Sequence, residues 1–251
     1  MTNFEKLLGL LVLLSGLLSI YGCSRTIVLL SPADHYNLGN RFLEKEDYAK
    51  AQEHFQLIRD SYPTSEYATM SQFKLAQTQF ARKHYLEAAV DFELFVEFHP
   101  AHKLAPEAYF FLALSKFKSM LTPDRDTTIA KEALIAYKKF LSIFPDHPRA
   151  QEAQKYLISV QDHLLTHELE VGMMYYRRKE YDASFNRLKP VSENAHDPEL
   201  KAQAMYYVGL CLKHKKDNVE AAKAFESLVS ELPDSKWTEK AISKIKHLKK
   251  K

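Results

Sequence analysis

The sequence predicts an all-α solenoid of about five helix pairs, and three observations carry that prediction. First, a small residue, an aromatic ring and a proline return at spacing i, i+4, i+12. The sets are Ala51/Phe55/Pro63, Ala88/Phe92/Pro100, Ala133/Tyr137/Pro145 and Ala221/Phe225/Pro233. The small residue admits a neighbouring helix, the ring fills the gap beside it, and the proline ends the helix because it has no N–H to donate. Second, the stretch before each set carries a large apolar residue followed by a small one: Leu38-Gly39, Leu75-Ala76, Leu112-Ala113, Val171-Gly172 and Val208-Gly209. Third, the chain has only 6 glycines and shows no alternating strand pattern, which leaves little room for hairpins. Self-similarity of this kind marks a solenoid of stacked helix pairs.

Taken from the N-terminus, residues 1–22 read as a signal peptide. Lys6 gives a weak positive region, and Leu7 to Tyr21 is an apolar run broken only by glycine and serine. That run is shorter than the ~20 residues a membrane-spanning helix needs. It ends in Ile20-Tyr21-Gly22-Cys23, which resembles the bacterial lipoprotein signal. The resemblance implies that Cys23 is diacylated, cut free and acylated again on its new amino group. Two or more acyl chains give stable anchoring, at about 0.8 kcal/mol per buried CH₂. Ser24 is not the aspartate that retains many such proteins on the inner membrane, so the analogy favours the outer membrane. Residues 23–31 then form a lipidated linker.

Residues 32–243 hold the repeats. The tetratricopeptide repeat has a period of about 34 residues and places its Ala, aromatic and Pro in the second helix of a pair. Second helices are expected to start near Tyr48, Tyr85, Ala130, Tyr181 and Asn218. Gly39, Gly172 and Gly209 all take the small position of a first helix, where close approach offsets the roughly 1 kcal/mol that a helical glycine costs. The spacing between repeats 2 and 3 is longer than between 1 and 2, and the extra residues, Leu121–Thr128, are expected as a loop with Thr127 or Thr128 capping the next helix. The first helix of repeat 4 reads as unusually long, from Pro148 to about Lys179. Its second helix is degenerate: Ser184, Leu188 and His196 replace the Ala, the aromatic and the Pro, and Pro190 should kink or shorten it. Residues 244–251 read as a basic tail, a solvated and frayed helix end with Lys244, Lys246, Lys249, Lys250 and Lys251.

The composition narrows function. A net charge of +3 without a basic–aromatic motif does not suggest nucleic acid. Of the 2 cysteines, Cys23 is assigned to lipid, and Cys211 lies in an apolar helical stretch as a buried, inert thiol. His163 and His167 have zinc-ligand spacing, but Leu164 stands where the metalloprotease motif needs glutamate, so no metal is expected. Asp124 and Asp126 read as part of an ion-pair loop with Arg125. No phosphate loop, nucleophile elbow or Cys/His cluster is present, so neither an enzyme nor a cofactor is predicted.

Binding is better supported. Counting from the small residues, the groove of repeats 1 to 3 is expected to show Tyr36, Asn40, Phe73, Gln77, Phe80, Phe110 and Phe117, with Lys74 and Lys118 at its edge. Rings beside amides and cations suit an extended peptide with a free carboxylate. A second patch joins Arg177, Arg178 and Lys179 with Arg187, whose forks suit a partner's carboxylates.

Tyr48 to Pro63, the Asp124-Arg125-Asp126 loop, Phe144-Pro145, and the run Glu168 to Arg187 with its Tyr175-Tyr176 and Asn186-Arg187, all behind a lipid-type cysteine, resemble the BamD (ComL/YfiO) family of outer-membrane assembly lipoproteins. The resemblance implies five tetratricopeptide repeats at the periplasmic face of the outer membrane. As partners it implies a BamA-type β-barrel insertase bound through its POTRA domains, other assembly lipoproteins, and the C-terminal signal of unfolded outer-membrane proteins. It assigns Arg187 to communication with the insertase. A periplasmic repeat adaptor that organises cell-wall synthesis or envelope constriction is the alternative, since such adaptors share the repeats.

Overall fold

The computed structural model describes residues 30–249. Among these residues the chain forms eleven α-helices and no strand. The pairs are α1 (Pro32–Glu44) with α2 (Tyr48–Ser61), α3 (Glu66–Ala81) with α4 (Tyr85–Phe98), and α5 (Ala105–Lys118) with α6 (Thr128–Ile143). They continue with α7 (Ala150–Arg177) and α8 (Tyr181–Asn194), then α9 (Pro198–His214) and α10 (Asn218–Glu231), and α11 (Lys236–Leu248) closes the end. Each helix packs on the next. The first helices of neighbouring pairs also meet, α1 with α3, α5 with α7 and α7 with α9, so they form an inner layer and the second helices an outer one.

The repeated residues make the core. Ala51, Ala88, Ala133 and Ala221 are fully buried, as are the rings of Phe55, Phe92, Tyr137 and Phe225. The glycines sit under these side chains. A Cβ on Gly39 or Gly209 would lie 2.6 Å from the ring of Phe55 or Phe225, and one on Gly172 would lie 2.6 Å from Leu188. Packing thus holds the two helices of a pair closer than an alanine would permit.

Side-chain caps mark the starts of several helices. Ser31 and Asp34 form a reciprocal capping box on α1, and Asp47, Asp197 and Asp217 accept from backbone N–H groups at the starts of α2, α9 and α10. Four of the first helices end in a residue with positive φ: Glu46, Lys83, Lys179 and Lys216. The N–H of each residue after them returns to the helix, as Asp47 does to the Phe42 carbonyl (2.9 Å). This is the turn usually given to glycine. None of the four is glycine, so the turn is held by the two hydrogen bonds and by the packing of the pair.

Several expectations are corrected. Pro190 lies inside α8, but α8 keeps 14 residues, the length of α2, α4 and α10. The third second-helix starts at Thr128 with Thr127 at its N-cap position, but the Thr127 side chain makes no cap bond. Asp126 makes one instead, accepting from the Thr128 N–H (2.9 Å) and hydroxyl (2.7 Å). The basic tail is the end of a helix, as expected, since α11 runs to Leu248, but it is tied down where Lys249 pairs with Glu226 at 3.0 Å. Trp237 and Ala241 of α11 are buried against repeat 5 and cover what would otherwise be an open apolar end. The first helix of repeat 4 is long, as expected, with 28 residues. The signal peptide 1–22 and Cys23 lie outside the described residues. At the linker's end, Tyr62 donates to the Leu30 carbonyl at 3.3 Å.

Candidate functional site

The inner layer decides which side chains a bound segment could meet. Tyr36, Phe73 and Phe110 stand three residues before Gly39, Ala76 and Ala113, and Phe80 and Phe117 stand four after Ala76 and Ala113. Those offsets put them on the same face as the small residue, which looks at the second helix. Phe73 and Phe110 are accordingly core residues, 3% and 0% exposed, and do not line a groove. Phe73 meets Phe92 and Phe95 edge-on, and Phe110 meets Phe140. Tyr36, Phe80 and Phe117 are half-buried at the seams between repeats: Tyr36 against Tyr67, Phe80 against Phe111, and Phe117 against Tyr156 at 4.9 Å. The expected aromatic groove is therefore largely an inter-repeat ring stack.

Asn40 and Gln77 directly follow the small residue and turn off that face. They are half-buried, as is Lys74, whose ammonium is held below its usual pKa by burial and partly restored by Glu44. Lys118 is exposed, with Nζ 5.9 Å from the Phe117 ring.

The same rule finds a wide opening. Met173, one residue after Gly172, lines a cleft of about 910 Å³ between α7, α9 and the start of α11. Ile158, Leu169, Met173 and Leu200 give it apolar walls. Lys155, Glu170, Glu199 and Lys236 bring both signs of charge, and Gln203 supplies an amide. Lys236 reaches Glu199 at 3.7 Å. Sequence analysis did not single out these residues. The available signal was the uninterrupted length of the helix together with the offset that also marks Asn40 and Gln77.

Two contacts hold this region in shape. Asp162 of α7 accepts from the N–H of His196 (2.8 Å) and of Asp197 (3.1 Å). His196 occupies the place of the missing proline, and its extra N–H is the donor that proline would lack. His167 donates from Nδ1 to the Pro123 carbonyl (2.6 Å) and fastens the inserted loop to α7. His167 thus serves packing, while His163 lines the cleft; no group of three or more potential metal ligands occurs among the described residues. Cys211 is buried, its thiol pKa is pushed up by burial, and it donates to Ser184 at 3.3 Å.

The basic patch divides in two. Arg177, Arg178 and Lys179 are exposed at the end of α7, with Lys179 in the left-handed turn. Arg187 lies further back on α8 and donates from Nη1 to both oxygens of Glu168 (2.9 and 3.3 Å). Glu168 and Arg178 are separated by about 15 Å of helix at 1.5 Å per residue, so the two parts do not form one cluster.

Paired helices in an inner and an outer layer, with an open cleft of mixed charge between them, define a tetratricopeptide-repeat array, and residues 203–235 match the tetratricopeptide repeat itself. Residues 30–209 match the YfiO family, described as outer membrane lipoprotein, and the chain belongs to that family. A relative from Rickettsia prowazekii, named outer membrane protein assembly factor BamD, is 26% identical over 84% of this chain and 84% of its own length. A protein of the same name from Caulobacter vibrioides is 24% identical over 80% of this chain and 66% of its own length. A solved structure of a TPR repeats protein from Bacteroides fragilis aligns with a TM-score of 0.48 at 15% identity, covering 87% of this chain and 98% of that one. No helix among the described residues is long and apolar enough to cross a membrane.

Proposed function

We propose that this protein is a non-enzymatic scaffold of outer-membrane protein assembly, held by lipid on Cys23 at the periplasmic face of the outer membrane. In this reading Arg177, Arg178, Lys179 and Arg187 meet the POTRA domains of a BamA-type insertase. Other assembly lipoproteins complete the complex. The inner face receives the C-terminal segments of unfolded outer-membrane proteins. Asn40 and Gln77 offer amides in repeats 1 and 2, and the cleft beside Met173 offers apolar walls with cations at its rim. The single observation that carries the reading is family membership over residues 30–209, from repeat 1 into the first helix of repeat 5, with relatives named as assembly factors. An open cleft with apolar walls and a charged rim also suits a polypeptide better than a small substrate.

Depletion of the protein, followed by measuring β-barrel proteins in the outer membrane, tests the role. Barrel levels should fall, while unchanged levels would reject it. A photo-crosslinker at Gln77 or Met173 tests the inner face and should capture nascent barrel proteins. Pull-down through the lipid anchor separates the two classes of role. An insertase among the partners supports assembly, and wall-synthesis enzymes in its place would favour the adaptor.

A further inference from the structure

The outer helix α4 shows solvent something that its core role does not require. Leu86, Val90, Leu94 and Phe98 recur at every fourth position and are 56, 56, 45 and 70% exposed. Residues at this spacing form one continuous ridge. The inward positions are already filled, because Ala88, Phe92, Phe95 and Val96 are buried. The ridge is therefore a second apolar face on the opposite side. Its borders carry Glu87, Asp91, Glu93 and Glu97, and α4 contains no lysine or arginine.

At its C-terminal end the ridge opens into a cavity of about 190 Å³ between α2, α3 and α4, walled by Leu75, Leu94 and Phe98. Asp91 is half-buried there. Burial pushes its carboxyl pKa up, and Arg59 only partly opposes this, since its Nε bonds Asp60 at 2.9 Å. Asp91 makes no ion pair or hydrogen bond with another described residue, so a desolvated carboxylate waits beside an apolar ridge.

We propose that this face docks a basic amphipathic helix from another polypeptide. An i+4 ridge fits between the ridges of a facing helix crossed at about −50°. The partner's apolar side chains would cover Leu94 and Phe98, and its lysines or arginines would meet Glu87, Glu97 and Asp91, the last through a side chain entering the cavity, while Glu93 already faces Lys116 at 3.7 Å. A second copy of this chain fits poorly, because the two acidic faces would repel. An anionic lipid surface is repelled for the same reason. The inference stands on α4 alone and does not depend on what occupies the inner cleft.

Fluorescence anisotropy with the full chain tests it, using two labelled helical peptides of one length, one of leucine and lysine and one of leucine and glutamate. The lysine peptide should bind, and the glutamate peptide should not. Leu94→Ser with Phe98→Ser should weaken binding by about tenfold or more, as loss of central anchors does. Glu87→Lys with Glu97→Lys should weaken it and flatten its dependence on salt. Both double variants should keep the helical circular dichroism of the parent, since these side chains are exposed. In cells, a photo-crosslinker at Val90 should give an adduct whose mapped segment has apolar residues three and four apart and a net positive charge. Equal binding of both peptides, affinity unchanged in either double variant, or an adduct formed with a second copy, with lipid or with an acidic segment would overturn the proposal.

Discussion

Repeats 4 and 5 have the same backbone plan and achieve it with different chemistry. In repeat 5, Gly209 sits under the Phe225 ring, Ala221 is buried beside it, and Pro233 follows the helix. In repeat 4, Gly172 sits under Leu188, and Ser184 takes the alanine's place at zero exposure. A buried hydroxyl needs a partner, and Ser184 donates to the Gly172 carbonyl at 2.8 Å while accepting from Cys211. The missing proline leaves an N–H, and Asp162 accepts it. A repeat can therefore lose its signature residues and keep its shape when each new polar group finds an acceptor, and the long α7 supplies those acceptors.

The largest test of this contrast removes the side chain over each glycine. Phe225→Ala should cost about 3–5 kcal/mol and Leu188→Ala about 2–5 kcal/mol in urea unfolding, with the phenylalanine variant the less stable. Equal losses would show that ring size does not distinguish the two repeats. Next in size, Asp162→Ala should cost about 1.5–3 kcal/mol, because a charged acceptor is removed from two backbone donors. His196→Pro should recover part of that loss, and a double-mutant cycle should report coupling of at least about 0.5 kcal/mol. Fully additive losses would break the claim that Asp162 substitutes for the proline. Gly209→Ala should destabilise by about 1–3 kcal/mol through overpacking against Phe225, although alanine is the better helix former.

The smallest effect concerns repeat 1, where the polar pair can titrate. His35 and His54 face each other at 2.9 Å between ring nitrogens. Burial lowers the His35 pKa, the His54 charge lowers it further, and Asp34 opposes both. The fold therefore favours the neutral form of His35. This contribution is complete above the unfolded-state pKa of about 6.5, declines as pH falls from there through the lowered native value, and levels off below it. Tm should drop on acidification across that window, and His54→Gln should make the drop shallower.

The fold was legible in the sequence because its signals act within one helix pair. Glycine or alanine, ring and proline specify a contact between neighbours in the chain, and Gly39, Gly172 and Gly209 mark where the backbones come closest. The groove was less legible. Rings at Phe73 and Phe110 can be assigned to a helix from their spacing, but their exposure depends on how one repeat leans on the next. Asp162 and His196 lie on different helices with no shared motif, so their contact appears only when α7 and α8 are packed. The α4 ridge was written in the sequence as every fourth apolar residue, and Ala88 and Phe92 marked the other face as the inner one, yet nothing local shows that the ridge stays uncovered once the repeats are stacked.

The 28 residues of α7 serve two neighbours at once. Ala153, Leu157 and Val160 belong to the core shared with repeat 3, while Leu169 and Gly172 face repeat 4. One unbroken hydrogen-bonded backbone of roughly 42 Å therefore bridges the middle of the rod, beside the very insertion where a joint would otherwise form. A bending load applied at either end would be carried through this strut, and the two halves of the molecule would swing together as one lever.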